Sequence, residues 1–183
     1  MGASVLVTVY LAIHDPALLE RRMAAGPAAE KEPRQKWIMF LAMIGFIALL
    51  VVPAFDRRFG WSYVPPYVSL IGDALIGISF LLVFFVLKAN TYSASTVQVT
   101  EGQKVISTGP YALVRHPMYA GSLPLVVAVP LALGSWWGLP ALIVFFPALI
   151  WRLLDEESFL GRNLRGYTEY TQKVRYRLIP HLW

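Results

Sequence analysis

MYAGSLPLVVAVPLALGSWWGLPALIVFFPALIW, residues Met118–Trp151, runs for 34 residues without one charged side chain. A helix crosses the hydrocarbon core of a bilayer with about twenty apolar residues. The run is therefore too long for one helix and suits a tight hairpin of two. Gly134-Ser135 and Gly138 supply the turn. Pro124, Pro130, Pro140 and Pro147 bend or shorten the arms, which membrane helices tolerate where neighbours satisfy the freed carbonyls. Working upstream, Val64–Leu87 holds 24 residues with Asp73 as its one charge, and Trp37–Phe55 holds 19 with none. The expectation is an all-α integral membrane protein with four transmembrane helices, the last two forming a carboxyl-terminal hairpin.

Composition agrees. Of 183 residues, 57% are hydrophobic and 15% charged, against about 25% charged in ordinary soluble domains. There is no cysteine, which removes disulfides, thiolate metal sites and cysteine nucleophiles. The net charge of +5 does not point to nucleic acid, because the basic residues flank apolar segments instead of forming one solvated patch. His14, His116 and His181 are scattered without metal-ligand spacing, and no Gly-rich phosphate loop or dinucleotide fingerprint is present.

Basic residues orient the spans. Arg21, Arg22, Lys31, Arg34 and Lys36 precede the first, and Lys88, Lys104 and Arg115 lie between the second and third. Arg152, Arg162, Arg165, Lys173, Arg175 and Arg177 close or follow the last. Only Arg57 and Arg58 fall on the other side, so 14 of 16 basic residues share one face. The positive-inside rule makes that face, with both termini, cytoplasmic. At the amino terminus Ser4–Ile13 is apolar for only ten residues, so it either dips into the membrane or belongs to a longer amino terminus. No basic region precedes it, unlike a signal peptide. Asp15-Pro16 reads as a helix start, and Ala17–Ala25, with Glu20, Arg21 and Arg22, reads as interfacial.

Two clusters at the cytoplasmic boundary carry chemistry. Thr108–Gly121 places Gly109-Pro110-Tyr111 and Arg115-His116-Pro117-Met118-Tyr119 just before the hairpin. Polar, stiff residues at such a boundary mark a site. Pro117 disfavours helix at His116 and holds it in a turn. Arg152-Leu153-Leu154-Asp155-Glu156-Glu157 ends the last span, with Arg152 and Glu156 on one helix face. It is either a juxtamembrane anchor or, beside the Arg115-His116-Pro117 loop, half of a pocket with both signs of charge. Leu160, Leu164, Tyr167, Tyr170 and Val174 recur on one helical face, an amphipathic carboxyl-terminal helix that lies on headgroups or closes over that pocket. Asp73 reads as contacting a neighbouring helix or pocket.

Gly109-Pro110-Tyr111, Arg115-His116-Pro117-Met118-Tyr119, Glu156-Glu157, Tyr167, Tyr170, Arg177 and Pro180 together resemble the isoprenylcysteine carboxyl methyltransferase family, which sits with the phospholipid methyltransferases in a broader membrane group. The likeness covers residues 88–182. The length fits one domain over 1–183: an interfacial or partial membrane segment (1–35), two transmembrane helices (36–87) and, as the likeness implies, a cofactor-binding catalytic region (88–183). The likeness implies S-adenosyl-L-methionine as cofactor, touched by Gln103, Lys104, Val105, Ile106, Tyr111, His116, Pro117, Met118, Tyr119 and Glu156. It puts Arg152 on the substrate side, with Arg152 and His116 as the catalytic candidates. Gln103 departs from a histidine common in the family's protein methylators. A membrane-embedded site suggests a lipophilic acceptor entering sideways from the bilayer: a prenylated thioether carboxylate, an aminolipid or another hydrophobic small molecule. A carboxylate acceptor needs no general base and fits bidentate orientation by Arg152; an amine must lose a proton, for which His116 is the candidate. Glu156 offers acceptors to ribose hydroxyls or an ammonium group. Two rival readings stand beside this one. A membrane sterol reductase shares the Arg-His-Pro-x-Tyr block but uses NADPH, has Asn where this chain has Met118, and has many more spans. A membrane scaffold or transporter subunit accounts for the hydrophobicity but not for the boundary motifs.

Overall fold

A computed structural model describes residues 2–23, 28–30, 32–93 and 95–183. Lys31, and Ala24 and Ala25 of the expected interfacial segment, lie outside the described residues. Among the described residues the regular structure is entirely helical: α1 (Gly2–His14), α2 (Pro16–Met23), α3 (Pro33–Phe59), α4 (Pro66–Ala89), α5 (Pro117–Ala132), α6 (Leu142–Asn163) and α7 (Tyr167–Lys173). Proline opens α2, α3, α4 and α5, where its missing N–H has no intrahelical partner to lose and its φ is already helical. Asp15 caps α2 as expected, its Oδ1 accepting the Leu18 N–H at 2.9 Å. Gly60 stops α3 with φ 64°, its N–H bonding the Asp56 carbonyl, a left-handed turn that glycine adopts without a Cβ clash.

The chain is an all-α membrane protein. α3 and α4, of 27 and 24 residues, are each long and apolar enough to cross a bilayer. Their outward faces carry Phe40, Leu41, Ile44, Ile47, Leu50, Val51, Leu70, Ile71, Ile78 and Leu81 exposed, a contiguous apolar surface that water does not tolerate. α5 and α6 are joined by the expected turn, with Gly134 at φ 71° and a short 3₁₀ turn at Leu139–Ala141 between them, but they pack on α4 and α3 instead of on each other as a tight hairpin would. Helices pack mainly as α4 on α5 and α3 on α6. Small residues set these approaches: a Cβ on Gly72 would lie 2.6 Å from the Ala132 nitrogen. Gly72, Ser79 and Val86 are the buried face of α4. Asp73, about 100° further round, is exposed and makes no hydrogen bond or ion pair among the described residues. The contact expected for it with a neighbouring helix or pocket is therefore not made.

At the end of α3 distant from residues 90–116, a polar cluster forms that the sequence did not announce. Asp56 is fully buried. Its Oδ1 accepts the Ser62 N–H at 2.7 Å, and its Oδ2 accepts the Ser62 hydroxyl at 2.6 Å and the Ser135 hydroxyl. It thereby ties the α3–α4 loop to the hairpin turn. Asp56→Ala strands the buried Ser135 hydroxyl, at about 1–3 kcal/mol for a buried group left unsatisfied, and frees two half-buried Ser62 donors. A clear fall in unfolding temperature in detergent is expected; melting at the wild-type temperature would remove the cluster from the account of stability.

The carboxyl-terminal stripe is right as a face and wrong as one helix. α6 ends at Asn163, Gly166 turns the chain at φ 86°, and α7 begins at Tyr167. Leu164, Tyr167, Tyr170 and Val174 still bury together, against Val99, Val105 and Leu160. The tail thus packs on the loop between α4 and α5. The Tyr170 hydroxyl donates to the Tyr111 carbonyl at 2.8 Å. The Arg115 and His116 N–H groups donate to the Tyr176 and Arg177 carbonyls at 2.8 and 2.9 Å. On the other flank the α1–α2 pair rests on α4, with Leu11 and Leu18 against Leu87.

Candidate active site

Where α3, α5 and α6 meet the 90–116 loop, a cavity of about 580 Å³ opens, within the usual range for a small-molecule site. Gln103, Lys104, Val105, Ile106, Tyr111, His116, Pro117, Met118, Tyr119, Arg152 and Glu156 all line it. Every residue that the likeness put at the cofactor, the substrate or the catalytic step therefore lines one space. An apolar side is added by Met39, Met43, Phe46, Phe145 and Leu149.

Three consecutive acids on α6 leave the helix in three directions, as a 100° step per residue requires. Asp155 turns to α3, accepting from Gln35 Nε2 at 2.6 Å. Glu156 turns into the cavity, where its Oε2 accepts the Tyr119 hydroxyl at 2.6 Å. Its Oε1 has no hydrogen bond among the described residues. Glu157 turns to the loop and tail, pairing with Arg115 Nη1 at 2.9 Å, His116 Nε2 at 3.2 Å and Arg177 Nε at 2.9 Å. With Nε2 donating to Glu157, a neutral His116 ring keeps its lone pair on Nδ1.

Arg152 is buried and heavily engaged. Nε donates to the Tyr119 hydroxyl at 3.0 Å, Nη1 to Glu30 Oε1 at 2.8 Å and Gln35 Oε1 at 3.0 Å, and Nη2 to the Ser95 carbonyl at 2.9 Å. A guanidinium has five N–H donors, so one remains. The two-point clamp on a carboxylate expected from the sequence would need an existing partner to give way. Tyr119 bridges the two charged groups, accepting from Arg152 and donating to Glu156. The other carboxylate oxygen of Glu30 accepts the Val97 N–H at 3.1 Å, so one buried acid fixes both Arg152 and the 95–97 loop. Sequence reasoning missed Glu30 and Gln35, which read as ordinary polar residues before a span. No local signal marks a partner more than 110 residues away.

Tyr111 is held by Asn90, whose Nδ2 donates to its hydroxyl at 2.9 Å. Burial pushes its pKa up to about 12, so it remains a phenol at neutral pH. Gln103 turns its Oε1 back to the Thr100 N–H at 3.0 Å and closes the 100–103 turn. Arg22, from α2, also lines the cavity.

The fold and site together define a class, a helical membrane protein with a largely apolar cavity, edged by charged and phenolic groups, at one end of its apolar bundle. Residues 67–165, more than half of the chain, match the family model for phospholipid methyltransferase, and the chain belongs to that family of membrane methyltransferases. A stretch of 91 residues, 48% of the chain, is 32% identical to Delta(14)-sterol reductase TM7SF2 of Mus musculus. The chain spans only 22% of the length of that relative.

Proposed function

We propose that the protein transfers a methyl group from S-adenosylmethionine to a lipophilic acceptor, most like the carboxyl methylation of an isoprenylcysteine-type substrate. In this reading four helices, α3 to α6, cross the membrane, both termini face the cytoplasm, and the cavity opens at the cytoplasmic boundary. The observation that carries the proposal is the convergence of Gln103–Ile106, Tyr111, His116–Tyr119 and Glu156 on one cavity, in a chain of this family. The donor set fits the cofactor: a carboxylate oxygen without a partner suits ribose hydroxyls or an ammonium group, and two tyrosines offer flat faces.

When bound, S-adenosylmethionine would supply an electrophilic methyl group for in-line attack by the acceptor, the S–CH3 bond breaking and the sulfur leaving as a neutral thioether. The chain's share is then alignment, worth up to about 7–11 kcal/mol in well-oriented systems. Tyr119, pinned between Arg152 and Glu156, cannot swing, and it keeps the Glu156 carboxylate turned inward. The remaining Arg152 N–H is available to one acceptor oxygen. For an amine acceptor, His116 Nδ1 can take the proton, since Glu157 is placed to hold the resulting imidazolium. Met39, Met43 and Phe46 line the side toward the apolar bundle and suit an acceptor's hydrocarbon portion.

The likeness to a sterol reductase supports a second reading, in which the cavity takes NADPH. Equilibrium binding of radiolabelled S-adenosylmethionine and of NADPH to the purified protein separates the two. Saturable S-adenosylmethionine binding that NADPH does not compete away is expected. NADPH binding without it would transfer the proposal to the reductase, and binding of neither would leave a scaffold.

A further inference from the structure

The cavity wall holds one half-buried cation that the scheme above leaves unused. Arg22 projects from α2 into the wall of the cavity, beside Tyr111 and Tyr119. Its backbone is fixed there, the Ser95 hydroxyl donating to its carbonyl at 2.8 Å. Its neighbour Arg21 turns away to the Thr91 carbonyl. The Arg22 guanidinium has no hydrogen bond and no ion pair among the described residues, and burial lowers its pKa. Arginine stays charged at neutral pH, so a half-buried guanidinium that faces a cavity without a protein acceptor is free to pair with an anion that enters. The other cations of the wall differ. Arg152 is matched by Glu30 and Arg115 by Glu157, while Lys104 is exposed.

We infer that Arg22 is the carboxylate-binding group of this cavity. The geometry favours this role for Arg22 over Arg152, which has a single N–H left, whereas the whole fork of Arg22 is open to two-point contact with a planar carboxylate. A carboxylate can come from two sources, the amino-acid end of the cofactor or the head of an anionic amphiphilic acceptor. The first source rests on the methyltransferase reading; the second does not.

Two ligand pairs test it on the full-length protein in detergent. S-adenosylmethionine and its decarboxylated form differ by the carboxylate alone, with sulfonium and amine kept; dodecanoate and dodecanol differ by the carboxylate. Arg22→Gln is expected to weaken the carboxylate-bearing member of one pair about tenfold or more, the scale of a charge-assisted hydrogen bond, and to leave the other member within about twofold. Arg22→Lys should recover part of the loss. The unfolding temperature of the free protein should not fall, because no protein partner is lost. Loss confined to S-adenosylmethionine supports the role and assigns it to the cofactor; loss confined to dodecanoate supports it and assigns it to the acceptor. Wild-type binding of dodecanoate over dodecanol, sensitive to Arg22→Gln but without S-adenosylmethionine binding, would support Arg22 while ending the methyltransferase reading. A wild-type protein with no preference for the carboxylate in either pair, or a preference that survives Arg22→Gln, overturns the inference. So does equal weakening of both members of each pair with a lowered unfolding temperature, the mark of a structural residue.

Discussion

Arg152→Ala is expected to destabilise the protein by about 3–5 kcal/mol, the scale seen when one partner of a buried ion pair is removed. The Glu30 side chain has no exposure and Arg152 only 9%. Alanine would leave that carboxylate buried without a countercharge, free Gln35 Oε1 and the Ser95 carbonyl, and unpin Tyr119. Thermal unfolding in detergent reads the loss directly. Pairing the change with Glu30→Gln removes the stranded charge, so the double variant should melt above the single one. Cofactor affinity and methyl transfer should fall together, because Glu156 loses the tyrosine that orients it. Wild-type melting of Arg152→Ala with only transfer depressed would instead make Arg152 a contact for the acceptor alone. Lysine should restore little, since a single ammonium cannot serve four acceptors in the geometry of the planar fork.

Glu156→Gln should leave the fold intact and weaken S-adenosylmethionine binding about 10- to 150-fold. The Tyr119 hydroxyl still finds an acceptor in the amide, so packing survives. What goes is the carboxylate charge, and a hydrogen bond to a charged group contributes about 1.5–3 kcal/mol. Titration with labelled cofactor would read the loss. Affinity within twofold of wild type, in a variant with unchanged melting, would take Glu156 out of the cofactor's reach.

The helices were legible because their causes are local. Apolar runs with one charge or none define α3, α4, α5 and the first part of α6, and Pro33, Pro66 and Pro117 mark three of their starts. The candidate site residues were legible through the family likeness, and their meeting on one cavity follows from α6 facing the Arg115–Tyr119 loop. What stayed hidden is what depends on distance. Glu30 with Arg152 and Asp56 with Ser135 join residues 122 and 79 apart, and no periodicity encodes such pairs. The tail shows a subtler limit. The stripe from Leu160 to Val174 is truly one apolar surface, but Gly166 lets the chain turn within it, and a count of apolar spacing does not register that turn.

The Glu157 knot has a consequence for how the molecule comes into being. It joins residues 115 and 116 to Arg177, while the opposite wall of the same cavity needs Glu30 and Gln35 from the start of the chain. Closing so long a loop carries an entropic cost that is met only once the far end exists. During synthesis the apolar helices can therefore be threaded and paired one after another, but the loop that carries Arg115 and His116 into the cavity wall is not held until residue 177 has left the ribosome. Nascent chains halted before that point would be inserted in the membrane yet unable to hold a ligand.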